Sequence, residues 1–306
     1  MDYLLISPVR NEESHLPALA GSIINQTQLP CLWLILDDGS TDRTPEIIEK
    51  LCSHYSWIIS RRLETRNGGL GLHFGEIMGF GFDEVMQVAG GKKISYQLIG
   101  KADADVIVPP ACFQELAQQF SKNASLGIAS PALLIRDPLF HNPLKKYRWD
   151  GAFEDHPTDG VRLIRKECYD AIGGYLAVRA PETVAEAKAK IRGWQLRRFR
   201  HIFAYLQRIS HETTSVWARS SMGGSEAHYL GYHLLLVIGH FSYEVFFGRP
   251  WYISWAYLWG YFRSVIRHEP KIPDKEILLY FKRQRIKEVL PQMPGLIRYA
   301  FMRLPK

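Results

Sequence analysis

The sequence predicts an α/β fold, a mostly parallel sheet flanked by helices, followed by a separate helical region. Three observations carry this expectation. Short apolar runs alternate with stretches of helical spacing, joined by short connections. Acidic or glycine-rich segments stand at the ends of those runs, where parallel sheets bind their ligands. From Tyr229 onward the chain turns apolar and aromatic, and basic residues follow.

The elements read as follows. Residues 3–9 form an apolar run that closes at Pro8, suiting a buried strand and then a loop. Residues 14–26 have helical spacing. Residues 32–36 are a second apolar run, stopping at Asp37-Asp38-Gly39-Ser40. Residues 44–54 read as a helix, with Thr41 or Asp42 as candidate N-cap. A third strand is expected over 57–63, a glycine-rich turn over 66–71 and a helix over 72–88. The strand at 96–100 runs into Lys101-Ala102-Asp103-Ala104-Asp105. A helix over 110–120 and a strand over 126–135 precede a long polar loop at 136–159. Strand, short helix and turn are expected at 161–164, 166–172 and 173–175. A helix over 181–192 has Pro181 near its start. Residues 199–203 are strand-like.

An apolar fraction of 46% and a charged fraction of 23% describe a globular chain. The four cysteines (Cys31, Cys52, Cys112, Cys168) have no paired spacing, which argues against a zinc site or a disulfide framework. The N-terminal residues lack the basic region and cleavage site of an export signal, so a cytoplasmic location is expected. The net charge of +7 is concentrated in residues 249–306, which hold 12 Lys/Arg against 4 Asp/Glu. Such a tail suits an anionic membrane surface, or is simply a solvated helical face. Nothing in it matches a nucleic-acid-binding motif.

The chemistry sits in three segments: Ser7-Pro8-Val9-Arg10-Asn11-Glu12-Glu13, Asp37-Asp38-Gly39-Ser40-Thr41-Asp42 and Asp103-Ala104-Asp105. A carboxylate such as Asp38 can accept hydrogen bonds from a nucleotide's base or ribose, although Asp37, Asp38 and Asp42 would also serve as turn and helix caps. In this order and at these separations the chain resembles the family 2 glycosyltransferases of GT-A (Rossmann-like) fold, over roughly residues 3–211.

The resemblance implies a nucleotide-sugar donor, a UDP-sugar being favoured. It places the nucleotide on Pro8, Arg10, Glu12, Asp38, Asn67, Gly68 and Asp103. Asp103 and Asp105 would hold Mg²⁺ or Mn²⁺ bridging the donor diphosphate, since hard oxygen ligands suit those ions. His211 is a third candidate ligand or diphosphate contact, with a structural histidine as the alternative. Lys101 reads as a surface lysine beside them, with a positive charge added to the site as the alternative.

In that family an acidic pair opens a helix, and its second member, usually Asp, stands eleven residues before a glycine. Glu182 holds that place before Gly193, but Ala180-Pro181 precedes it, so the first acid is missing. Glu182 is the candidate catalytic base of an inverting transfer, with Glu186 as the alternative.

Domain boundaries are expected at 1–225 for the catalytic domain and 226–306 for a membrane-associated helical region. Residues 229–247 fall short of a comfortable span, and the Trp and Tyr residues that follow suit helices lying in the interface. With Tyr229-Leu230-Gly231-Tyr232-His233 and Trp259-Gly260-Tyr261, this tail resembles that of bacterial family 2 enzymes of surface-polysaccharide assembly, which act on lipid-linked acceptors at the inner membrane face. Two other readings are a polyprenyl-phosphate glycosyltransferase and a non-catalytic donor-binding subunit.

Overall fold

The computed structural model describes residues 1–64, 70–136, 147–149, 154–207, 216–247 and 252–292. It divides into two compact units, Met1–Ile209 and Ser210–Lys306.

The first unit is a curled, mostly parallel sheet between helices. Its order is β3-β2-β1-β4-β8-β6-β9-β5, with β7 paired to β6. The strands are β1 (Tyr3–Val9), β2 (Leu32–Asp37), β3 (Ile58–Arg62), β4 (Leu98–Ala102), β5 (Val106–Ile107), β6 (Leu126–Arg136), β7 (Tyr147–Trp149), β8 (Val161–Arg165) and β9 (Gln195–Leu206). The helices are α1 (Leu16–Ile24), α2 (Thr44–His54), α3 (Leu70–Gly91), α4 (Cys112–Lys122), α5 (Lys166–Ala171) and α6 (Pro181–Ile191).

β1, β2, β3 and β4 run parallel, while β8 enters antiparallel between β4 and β6. β1 and β2 read as unbroken apolar runs because both faces of a doubly covered sheet are buried. One face packs Tyr3, Leu5, Trp33 and Ile35 against α1 and α4; the other packs Leu4, Ile6, Leu32 and Leu34 against α3.

Helix α3 begins and ends beyond the expected 72–88, and its glycines explain its fit. A Cβ at Gly75 would stand 2.8 Å from the Val178 carbonyl oxygen, and one at Gly79 would stand 2.9 Å from that of Tyr175. These two positions, one turn apart, let the chain leading into α6 lie directly on α3.

Three local expectations differ from the structure. Arg43, not Thr41 or Asp42, is the N-cap residue of α2, although Asp42 Oδ1 still accepts the Thr44 N–H at 3.0 Å. The polar stretch 136–159 contains β7. β5 is too short to show periodicity and exists only by pairing with β9.

The second unit holds α7 (Val216–Tyr229), α8 (Leu234–Phe247), α9 (Ile253–Ile266), α10 (Lys275–Leu279), a π-helical turn (Tyr280–Gln284) and α11 (Arg285–Val289). α7 belongs wholly to it, so the division falls ahead of the 225/226 boundary expected from composition. The apolar run 229–247 is not one helix: Gly231, at φ +73°, ends α7 and turns the chain. No described helix is long and apolar enough to cross a membrane. α7 and α9 meet through Gly224 and Gly260; a Cβ at Gly260 would lie 1.8 Å from the Ser221 carbonyl oxygen. Ser264 donates to Ser225 across that contact at 2.9 Å.

Candidate active site

The parallel register places Val9 beside Asp37 and Ile6 beside Lys101. The ends of β1, β2 and β4 therefore open along one edge, bringing together the three segments singled out in the sequence.

On the β1–β2 side, Asp37 and Asp38 divide their work. Asp37 accepts the Ser40 N–H at 2.9 Å, and the Arg62 guanidinium lies 3.5 Å away. With Gly39 at φ +68° this forms the turn. Asp38 is buried at the edge, held by the Arg10 guanidinium at 3.2 Å and by His73 Nε2 at 3.0 and 3.1 Å from its two oxygens.

Asp42 accepts N–H groups from Thr44 and Glu13. Burial works to raise its pKa, but these hydrogen bonds outweigh it and hold the carboxyl below its ordinary value. Glu12 turns its carboxylate to His15 Nδ1 at 2.9 Å and gives its N–H to Thr44. Pro8 sits on β1 opposite Leu36. Asn67, Gly68 and His211 lie outside the described residues.

On the β4 side, Lys101 is no surface residue: it is 1% exposed. Its Nζ lies 3.1 Å from Glu182 Oε1 and 3.3 Å from Asp103 Oδ1, and 4.8 Å above the Phe74 ring. The candidate base and the first acid of Asp-Ala-Asp thus share one ammonium.

Arg162 on β8, fully buried, faces Glu186 at 3.3 Å and also pairs with Asp159. His156 reaches the other Glu186 oxygen at 2.8 Å. Burial pushes Glu182 upward, but Lys101 and Arg162 beside it prevail and hold its carboxyl below the usual value. Burial raises Asp103 strongly, and the negative charges of Asp105 and Glu182 add to this against Lys101. The Tyr175 hydroxyl is buried near Glu182, so burial and that carboxylate push it well up.

A divalent cation fits this chemistry. The Asp103 carboxylate faces the Lys101 ammonium with one oxygen, at 3.3 Å, and the side chain keeps a third of its surface open to a further partner. Four carboxylates (Asp103, Asp159, Glu182, Glu186) surround the two buried cations, Lys101 and Arg162, and Asp105 adds its negative charge beside Asp103. No three described His, Cys, Asp or Glu side chains form a closed metal set. An ion of the Mg²⁺ type needs only one or two carboxylates when phosphates and water complete its shell.

The model of glycosyl transferase family 2 matches residues 5–77, the segment carrying β1, the Asp38 turn and His73. None of the curated proteins matches the chain.

Among solved structures, the Pyrobaculum calidifontis mannosyltransferase PcManGT, in complex with GDP-Man and Mn²⁺, aligns over 98% of this chain and 83% of its own at 14% identity, TM-score 0.54. Residues 1–349 of S. aureus TarS, in complex with UDP-GlcNAc, align over 99% of this chain and 88% of its own at 14% identity, TM-score 0.54. The chain spans only 39% of the longer TarS structure it also matches (72% of this chain, 15% identity, TM-score 0.45). At these identities the likeness establishes the GT-A fold.

His73 and Arg162 are residues of the candidate site that sequence reasoning missed, while Lys101 was read chiefly as a surface lysine and Tyr175 only as part of a turn. A period-two reading of β4 puts Lys101 on the same side as Asp103, which is the signal that was available.

Proposed function

We propose that the protein is an inverting glycosyltransferase that moves a sugar from a nucleotide-sugar donor, a UDP-sugar being favoured, to a hydroxyl of a lipid-linked saccharide. The observation that carries this reading is the placement of Glu182 and Asp103 within 3.1 and 3.3 Å of one lysine ammonium at the end of β4. It supports a donor site and a base in one cleft.

In this reading Asp38, oriented by Arg10 and His73, accepts hydrogen bonds from the nucleoside. Asp103 and Asp105 are the oxygen donors for Mg²⁺ or Mn²⁺, which when bound offsets charge developing on the departing diphosphate. The GDP-Man, UDP-GlcNAc and Mn²⁺ of the two solved relatives support that assignment. Glu182, kept ionised by Lys101 and Arg162, takes the proton of the acceptor hydroxyl as it attacks the anomeric carbon from the face opposite the leaving group.

The test is transfer from UDP- and GDP-sugars, with the product anomer read by NMR. Glu182→Gln is expected to lower kcat by about 10²- to 10⁴-fold. Full transfer by this variant to a hydroxyl would remove Glu182 as base; full transfer only to a polyprenyl phosphate, already ionised, would favour that acceptor.

The second unit supports a location at an anionic membrane surface. Trp255, Trp259, Phe262 and Ile266 form one exposed stripe of α9, with Arg267 and Lys271 exposed beyond its end. The small residues Ala256, Gly260 and Ser264 face inward. An apolar aromatic stripe ending in cations complements an anionic bilayer surface. The full chain is expected to co-sediment with phosphatidylglycerol vesicles, and Trp255→Ser/Trp259→Ser to stay in the supernatant. Unchanged sedimentation of that variant would overturn the location.

A further inference from the structure

β4 and β8 are antiparallel neighbours, and their register sets Lys101 directly opposite Arg162. Both side chains are buried, at 1% and 0% exposure. Like charges facing each other across a strand pair repel, and each cation has also lost its water. The answer comes from α6. Glu182 and Glu186 stand one helical turn apart on the same face, at the spacing that lets neighbouring side chains act together. Glu182 meets Lys101 at 3.1 Å, and Glu186 meets Arg162 at 3.3 Å. The two strands and the helix are joined by two charge rungs.

The rungs are not alike. Arg162 ties Glu186 to the β8 turn through its own bond to the Thr158 carbonyl at 3.0 Å. Lys101 instead shares its ammonium between Glu182 and Asp103, with the Phe74 ring also against it at 4.8 Å. Apolar side chains of similar volume would pack a buried site at no net loss of stability. The charges therefore carry geometry that packing alone would not specify.

We propose that Lys101 is a positioning residue: it fixes the Glu182 carboxylate at a set distance from Asp103, so that the acceptor-activating group and the donor-holding group keep register across the cleft. This rests on the reading of Glu182 as base. Lys101 touches neither reacting sugar; it acts through Glu182. An error of about 1 Å in a reacting group's position costs on the order of 10²-fold in rate, so Lys101→Met is expected to lower kcat by about that factor while donor KM moves only slightly.

The experiment is a double-mutant cycle on the full chain: wild type, Lys101→Met, Glu182→Gln and the double variant, each assayed for transfer kcat and donor KM. The thermal shift produced by UDP or GDP with Mn²⁺ is measured alongside. Non-additivity is the signature of residues acting as a unit. The proposal is supported if Lys101→Met costs about 10²-fold in the wild-type background and almost nothing beside Glu182→Gln, with the nucleotide shift retained.

Equal costs in both backgrounds, or a Lys101→Met enzyme as fast as wild type, overturns it. Should Lys101→Met not fold, Lys101→Gln enters the same cycle, keeping the hydrogen-bond donor and losing the charge. Lys101→Arg, which keeps the charge on a differently shaped head, is expected to recover only part of kcat. If Glu182→Gln alone leaves transfer intact, the base assignment and this inference fall together. If it abolishes transfer while the costs add, only the positioning role falls.

Discussion

Replacing Arg162 by Met tests whether the buried charge cluster holds the sheet and α6 together. Met keeps most of the volume, so the change is electrostatic. Three interactions are removed: the bond from Nε to the Thr158 carbonyl at 3.0 Å, the contact with Glu186 at 3.3 Å and the pair with Asp159. Asp159 is exposed and returns to water, so its loss counts for little. The neutral acceptor is worth about 1 kcal/mol and the charged bond to Glu186 about 1.5–3 kcal/mol. Relief of the repulsion with Lys101 returns up to about 1 kcal/mol. Glu186 keeps His156 at 2.8 Å, so it is not left alone. The net expectation is a loss of about 1.5–4 kcal/mol, reaching the range for a broken buried pair only at its upper end. Amide hydrogen exchange of peptides from β4 and β8 reads this unit separately from the helical one. Exchange through global opening should quicken about 10- to 700-fold, at a factor of ten per 1.4 kcal/mol. Arg162→Met/Glu186→Met should recover much of the loss, because two apolar groups leave no buried charge. Less than about threefold acceleration in the single variant, or a double variant worse than the single, would refute the electrostatic account.

Other outcomes follow from the same geometry. Gly75→Ala places a Cβ 2.8 Å from the Val178 backbone, which cannot move aside as a side chain tip would. We expect a loss of about 1–3 kcal/mol in urea unfolding and a fall in kcat, since the displaced segment leads into Glu182. Glu186 has a folded pKa held below its ordinary 4.5, because His156 and Arg162 outweigh burial. Its contribution is therefore complete above 4.5 and lost as the pH falls through the lower folded value. Wild-type stability should drop in that window, and the drop should be shallower in Glu186→Gln. Asp105→Asn should abolish the extra thermal stabilisation that Mn²⁺ gives in the presence of UDP or GDP, as measured by differential scanning fluorimetry.

The parallel half of the sheet was legible because its signals are local. Apolar runs such as 32–36 end at turn-forming Asp-Gly pairs, and the strand order follows from short right-handed connections. The convergence of Arg10, Asp38 and Asp103 followed from that alone. β5 and β7 were not legible, since strands of two and three residues are created by their partners. Lys101 was misread for a related reason. A lone lysine beside two aspartates looks solvated until the antiparallel β8 brings Arg162 opposite it and α6 covers both. Long-range pairing, not local pattern, makes it a buried residue. Gly231 shows the converse: one left-handed glycine broke an apolar stretch that hydropathy reads as continuous.

The departure at Ala180-Pro181-Glu182 gains a physical sense from Lys101. Ala180 lies in the left-handed region at φ +52°, a conformation costing an alanine about 1 kcal/mol, and Pro181 then starts the helix. The entry into α6 is thus set by backbone, with no acid at 180 to help orient the base. A glutamate has one more rotatable bond than the aspartate usual in family 2, and so more freedom to lose before it is placed. Lys101 supplies the missing restraint from the neighbouring strand. Glu182→Asp, though it restores the commoner residue type, should therefore be slow here. Shortening the side chain by one methylene withdraws the carboxylate by roughly 1 Å from a lysine that cannot follow, because Asp103 and the Phe74 ring hold it in place. Steady-state kinetics should show kcat reduced by about 10²-fold with donor KM little changed. An aspartate variant as fast as wild type would mean that the helix backbone alone places the base.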